Sequence, residues 1–278
     1  MGWSDVRLVA FDMDGTLLNE ASQMTEETQE ACRLLQATGR KLILSTGRTY
    51  VSARLPVHEF PFDGYVCSNG AAIYEKDGTL VHSTILPAGM VTEAIRKIRE
   101  LPIYYEIHDT DSNRWMADED RQRIDVENLS ELRRFTFYKL SRVAPLEELI
   151  ARLSSGEINA VKIFIWSRQA EQLQWVREQL APYSNAAALT SSGDTNVEVM
   201  PKDVSKWTGL QYFLAQWKLT PEQVLAFGDA DNDLDILSNV GHPVAMENAT
   251  PALKRIARHV AGHHDKDGVA SFIRAHLL

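Results

Sequence analysis

Residues 6–16 run Val-Arg-Leu-Val-Ala-Phe-Asp-Met-Asp-Gly-Thr, and the change of character at Asp12 decides the fold. Val6 to Phe11 is a short apolar run rich in β-formers, the pattern of a strand buried on both faces of a parallel sheet. It stops at Asp12 and Asp14, two carboxylates able to point into one crevice. Gly15 permits a tight backbone path there, and free N–H groups in such a turn can bind phosphate oxygens. A solvated acidic turn is the blander account, but it does not explain why the acids follow an apolar strand directly.

Working outward, the same pattern recurs. Thr25-Glu26-Glu27 has the form of an N-cap followed by two acids that favour the helix dipole, and Gly39 closes that helix. Lys41 to Leu44 is predicted as a second strand ending at Ser45-Thr46-Gly47-Arg48, and Tyr65 to Ser68 as a third ending at Asn69-Gly70. Strand, helix and strand joined by right-handed crossovers give the α/β class, with a doubly wound parallel sheet. Ala71 to Leu86 predicts a hairpin turning at Asp77-Gly78.

From Pro87 the texture changes. A helix carrying Met90, Val91, Ala94, Ile95 and Ile98 on one face comes first. Strands over 103–108, 114–117 and 158–166 and helices near 145–153 and 168–180 follow. No acids end these strands, which predicts an α+β domain over 84–189 inserted between the two parts of the α/β domain, 1–83 and 190–278. The α/β pattern resumes with a helix near 204–217 and the strand Val224–Phe227, which ends at Gly228-Asp229-Ala230-Asp231-Asn232-Asp233.

Four polar clusters therefore sit at carboxyl ends of strands in one sheet, where open α/β sheets bind ligands. Ser45-Thr46-Gly47-Arg48 offers a hydroxyl and backbone N–H groups at a helix start, a phosphate cradle that an ordinary N-cap also explains. Asn69-Gly70 is equally consistent with a turn. Lys202 and Lys206 are both candidates for a charge-neutralising cation. Asp229, Asp231, Asp233 and Asp235 are hard oxygen ligands without a nearby His or Cys, which favours Mg2+ over zinc or copper. A phosphate dianion about 4 Å from a carboxylate is repelled by roughly 8 kcal/mol at an effective dielectric of about 20, so such a site needs its cations.

The formal charge of -9 argues against nucleic acid, whose binding draws on clustered Lys and Arg. The one basic grouping, Arg121, Arg123, Arg133 and Arg134, is interrupted by Asp125, Glu127 and Glu131. No stretch approaches the roughly 20 apolar residues of a membrane span, and Cys32 and Cys67 lack metal or redox spacing. A soluble cytoplasmic protein acting on small molecules is the expectation.

Taken in this order, Asp12 to Leu17, Ser45 to Arg48, Ser68 to Ala71 and Gly228 to Asp233 resemble the haloacid dehalogenase superfamily, specifically its Cof-like sugar-phosphatase branch with a large α+β cap. The segments Ala245 to Ala249 and Asp267 to Ala270 resemble it too. The resemblance implies a magnesium-dependent phosphatase of small phosphomonoesters. Asp12 would be its nucleophile, forming a phospho-aspartyl intermediate, and Asp14 its acid and base. Thr46, Gly47, Arg48, Asn69 and Asn232 would contact the substrate. The match of Asp203-Val204-Ser205-Lys206 to the family pattern selects Lys206 over Lys202. Mg2+ would be held by the Asp12 carboxylate, the Asp14 backbone carbonyl and Asp229, with Asp233 supporting the ion or orienting the lysine. Trp207 and Glu247 stand where the family commonly has glycine, and Glu247 bears on leaving-group preference. Glu106, His108, Arg114, Trp115 and the loop 191–194 are candidates to touch the leaving group. A phosphomutase and a non-catalytic phosphate-binding regulator are the alternatives on this fold.

Overall fold

The computed structural model describes residues 2–124 and 134–278, so Asp125, Glu127, Glu131 and Arg133 of the basic grouping lie outside the described residues. In chain order the strands are β1 (Leu8–Phe11), β2 (Lys41–Ser45), β3 (Gly64–Cys67), β4 (Ala72–Glu75) and β5 (Leu80–Ser83). Then come β6 (Tyr104–Asp109), β7 (Arg114–Ala117), β8 (Ser141–Ala144), β9 (Ala160–Trp166), β10 (Ala187–Thr190) and β11 (Asn196–Pro201). The last three are β12 (Val224–Gly228), β13 (His242–Met246) and β14 (His259–Ala261). The chain divides into two compact units, one built from Met1–His82 and Val204–Leu278, the other from Ser83–Asp203.

The first unit holds a sheet in the order β14-β13-β12-β1-β2-β3-β4-β5, parallel from β14 to β3. Every residue of β1, β3, β12 and β13 is buried, as strands covered on both faces must be. The order reverses at β1, which lies between β2 and the late strand β12, and this switch point opens a crevice at the carboxyl ends of the strands. The helix Glu26–Ala37 starts where the Thr25 hydroxyl accepts the Thr28 N–H, and its stop at Gly39 has a φ of 88°. Gly70, at φ 100°, lets the turn after β3 press on the Ser205 carbonyl. That contact fixes the start of the helix Lys206–Trp217 beside the crevice.

The second unit carries the sheet β10-β11-β9-β6-β7-β8. Register places Tyr105, Ile107, Trp115, Ile163, Ile165, Val197 and Val199 on one face, and the apolar faces of the helices 88–98, 146–154 and 170–180 share their core. Glu106, His108, Arg114, Lys162, Phe164 and Glu198 occupy the opposite face. Sequence reasoning groups 190–203 with the α/β part, whereas β11 pairs with β9 and β10. The alternation Asn-Val-Glu-Val over 196–199 is a strand pattern that the short apolar run disguises.

Glu106 is fully buried and collects the Tyr104 hydroxyl (2.6 Å), the Ser141 hydroxyl (2.9 Å), His108 Nε2 (3.1 Å) and the Arg114 guanidinium (3.5 Å). Burial alone would raise its pKa, but Arg114, His108 and Tyr104 overcome that and hold it below the usual carboxylate range. Burial drives His108 down to about 4, against the pull of Glu106. Both folded values lie below the unfolded ones, so both groups favour the folded state above the unfolded pKa and lose that contribution as acid is added. Stability should therefore fall from an ordinary histidine value of 6.5 towards about 4. Urea unfolding across that range should show a shallower pH slope in His108→Phe, and an unchanged slope would refute the assignment.

Candidate active site

The site begins where β1 and β12 end side by side. The Asp12 N–H donates to the Phe227 carbonyl (3.1 Å), which sets Asp12 next to the Gly228-Asp229 corner. A wide turn follows, closed by the Leu18 N–H on the Met13 carbonyl (3.0 Å). Gly15 stands at φ 81°, and a Cβ there would run into the Asp229 carboxylate. The glycine therefore serves both the left-handed conformation and the close approach of an acid. Thr16 donates to Asp229 Oδ1 (2.9 Å), and Asn248 donates to the Gly15 carbonyl (2.7 Å).

Lys206, the first residue of its helix, is fully buried. Its Nζ lies 2.5 Å from Asp12 Oδ1 and 2.6 Å from Asp233 Oδ1. Burial alone would lower its pKa, but the two carboxylates override that and raise it above the ordinary value, so the ammonium is retained. Asp233 Oδ2 accepts the N–H groups of Asp229 (3.0 Å) and Ala230 (3.2 Å). A side chain at Gly228 would collide with Asp233, so the glycine makes this inward turn of the loop feasible.

Asp12, Asp229 and Asp233 bring carboxylate oxygens within 4.8 Å of one another. Burial raises the Asp12 pKa well above the usual range, with Asp233 and Asp229 adding to the rise and Lys206 opposing it. Burial, then Asp233, lifts Asp229 to about 7. Three acids around one ammonium leave an excess of negative charge, and carboxylates about 4 Å apart repel by roughly 4 kcal/mol at an effective dielectric of about 20. The three carboxylates can hold a metal ion. Both oxygens of Asp233 are already engaged, by Lys206 and by two N–H groups, which leaves Asp12 and Asp229 as the better placed donors.

Asp14 points elsewhere. Its side chain is 55% exposed, and its two oxygens take Arg48 Nη2 (2.6 Å) and Nε (2.8 Å) in a bidentate grip. Thr46 is buried, its hydroxyl accepting the Arg48 N–H (3.1 Å), and Gly47 lies half-buried between them. The buried Ser45 hydroxyl has no hydrogen-bond partner among the described residues. Asn69 is buried at φ 53°, and its Oδ1 accepts from Asn232 Nδ2 (3.2 Å). The end of β3 is thereby linked to the loop after β12.

Lys202 lies in the other unit. Of the remaining acids, Asp231 is exposed and Asp235 takes the Ser205 hydroxyl. Thr16 and Asn248 escaped the sequence reading as individual residues, although both lie in segments it singled out. Their signal was available only as a hydroxyl and an amide next to acids. In the second unit Glu106, His108 and Arg114 join one network. Trp115 faces the helical core and donates its indole N–H to Asp109 (2.7 Å). The 191–194 loop is tied down by Asn196, which accepts the Ser192 N–H (3.0 Å) and donates to its hydroxyl (2.7 Å). No helix among the described residues is long and apolar enough to cross a membrane.

A family model described as haloacid dehalogenase-like hydrolase matches residues 9–273. Phosphatase YwpJ of Bacillus subtilis is 27% identical, the match covering 98% of this chain and 100% of that protein. HMP-PP phosphatase of Serratia proteamaculans is 28% identical over 96% of this chain and 94% of its own. A haloacid dehalogenase-like hydrolase structure from B. subtilis superposes with a TM-score of 0.83 at 26% identity, covering 98% of this chain and 100% of that one.

Removing the ammonium while leaving both acids buried should be severe. Lys206→Met is expected to cost about 3–5 kcal/mol, the usual penalty for stranding buried charge. Urea unfolding would measure it, and a loss under about 1 kcal/mol would mean that the acids are not held by this lysine.

Proposed function

Because the chain belongs to the haloacid dehalogenase-like hydrolase family, we propose that it is a magnesium-dependent phosphatase hydrolysing small phosphomonoesters through a phospho-aspartyl intermediate on Asp12. The observation that carries this reading is a buried carboxylate, Asp12, fixed by the fully buried Lys206, with a second and solvent-accessible acid two residues on. The relatives named as phosphatases support it.

Asp12 attacks phosphorus with one carboxylate oxygen, forming an acyl phosphate as the bond to the leaving oxygen breaks. Asp14 gives its proton to that oxygen, then takes one from the water that attacks the acyl phosphate and frees inorganic phosphate. Lys206 keeps Asp12 oriented and offsets charge on the incoming phosphoryl group. The Thr46 hydroxyl and the Gly47 N–H bind phosphoryl oxygens, with Asn69 and Asn232 beside them. Arg48 holds Asp14 as a carboxylate until the dianion competes for the guanidinium, which releases Asp14 to carry a proton. Asp12 and Asp229, with the Asp14 carbonyl, would hold Mg2+, supported by Asp233, and when bound the ion supplies charge neutralisation of the phosphoryl oxygens. An oxygen-only donor set fits that hard cation better than zinc or copper. The substrate partner is a small phosphomonoester, with no role for nucleic acid or a membrane, and the expected location is the cytoplasm.

Phosphate release from a panel of phosphomonoesters tests the reading directly. Release should require Mg2+, stop on chelation, and vanish in Asp12→Asn with the fold retained. Turnover near wild type in that variant would sink the covalent route.

Asp14→Asn separates the acid from the nucleophile. It should lower kcat on alkyl phosphates by about 100-fold or more, the scale of general acid catalysis, while sparing aryl esters whose leaving groups need no proton. Equal losses on both would remove its role as acid.

A further inference from the structure

The turn that carries Asp14 has little regular structure of its own. Asp14 (ψ 118°) and Gly15 (φ 81°) depart from helical geometry. The bond from the Leu18 N–H to the Met13 carbonyl closes the turn without fixing the peptides inside it. Glycine has no Cβ to restrict its rotation, so the peptide between Asp14 and Gly15 needs a hold from elsewhere to keep one orientation. That peptide bears the Asp14 carbonyl, the oxygen proposed as a ligand of the ion.

Two side chains from the C-terminal part of the chain supply such a hold. Asn248, in the turn after β13, donates from Nδ2 to the Gly15 carbonyl (2.7 Å) and accepts the His264 N–H at Oδ1 (3.2 Å). His264, beyond β14, has its ring Nδ1 2.7 Å from the Leu18 carbonyl. A carbonyl only accepts and a backbone N–H only donates. One orientation of the Asn248 amide, with the His264 proton on Nδ1, therefore satisfies all of these contacts. The carbonyls of Gly15 and Leu18 are gripped by two residues that are bonded to each other.

The grip is itself anchored. The Thr250 N–H donates to the Asp229 carbonyl (2.9 Å), which ties the turn bearing Asn248 to the acid after β12. Asp265 accepts the Glu20 N–H (3.0 Å), and Asp267 accepts the hydroxyls of Thr25 and Thr28. A Cβ on Gly268 would strike the Gly262 carbonyl, so the segment 262–268 folds back tightly on itself. All of these residues belong to the first unit.

We infer, resting on the phosphatase reading, that Asn248 is a positioning residue for Asp14. It holds the Asp14 peptide in the orientation in which its carbonyl serves the ion and its carboxyl the leaving oxygen, and His264 holds Asn248 in place. In this role neither side chain touches the phosphoryl group.

Asn248→Leu keeps the shape of the side chain and removes donor and acceptor without adding charge to an acidic site. Mg2+ binding, measured by calorimetry without substrate, should weaken by about tenfold or more, the usual effect of losing a group that orients a ligand. On alkyl phosphates kcat should fall by about 10- to 100-fold, with a smaller loss on aryl esters and KM nearly unchanged. His264→Ala should show the same pattern, whereas His264→Asn, whose amide nitrogen reaches the place of Nδ1, should restore most of it. Wild-type Mg2+ affinity and kcat in Asn248→Leu would overturn the inference. So would equal losses on alkyl and aryl esters with the affinity unchanged, the mark of general loosening. Urea unfolding checks that each variant folds. If Asn248→Leu does not, His264→Ala compared with His264→Asn decides the question by the same two readouts. Should the wild type bind Mg2+ yet release no phosphate, while Asn248→Leu binds the ion about tenfold more weakly, the phosphatase reading fails and the positioning role stands.

Discussion

The structure of the first unit depends on one ammonium. Lys206 is fully buried, and its cost of desolvation is offset by Asp12 and Asp233, which close on it from two different strand ends. Asp12 follows β1, Asp233 follows β12, and Lys206 opens the helix that Gly70 positions from the end of β3. Three segments distant in sequence are thus held in register by charge at a point where an apolar core could not be used. The same contacts fix which oxygen of Asp12 is covered.

Close approach is the second constraint. Gly15, Gly70 and Gly228 each stand where a Cβ would strike Asp229, Ser205 or Asp233. None of the three is there for flexibility. They let acids and a helix start come nearer to the backbone than a side chain allows, and the price is local crowding of negative charge. That crowding raises Asp12 and Asp229 through burial first and through their neighbours second, the electrostatic condition in which a cation is favoured.

Much of this was legible in the sequence. The run ending at Asp12 and the acids after Phe227 located both sides of the crevice, because a buried parallel strand has to be continuous and apolar and its polar ends stand out. The choice of Lys206 over Lys202 came from resemblance, and the fold places the two in different units. What was not legible depends on distances that no periodicity records. The Arg48 clasp on Asp14 joins residues 34 apart, and the Thr16 bond to Asp229 joins residues 213 apart. Strand β11 escaped because its alternate residues Asn196 and Glu198 are polar yet buried, so composition gave the wrong impression of which domain it served. Trp115, named from the sequence as a candidate to touch the leaving group, turns into the helical core, on the same sheet face as its register partner Ile107.

The order of the strands has a consequence for how the protein is made. The neighbour of β1 on one side is β12, which leaves the ribosome more than two hundred residues later. At translation rates of about 5–20 residues per second, the nascent β1 waits roughly 10–40 seconds before that partner exists. The second unit is one uninterrupted segment, Ser83–Asp203, so it is fully synthesised while β1 still lacks that partner. During synthesis Asp12 therefore spends its first interval without Lys206, Asp229 or Asp233, on a half-sheet with an open edge. Chain connectivity leaves the crevice incomplete until after the whole second unit has been made, and the early strands are the ones most in need of protection from pairing with the wrong chain.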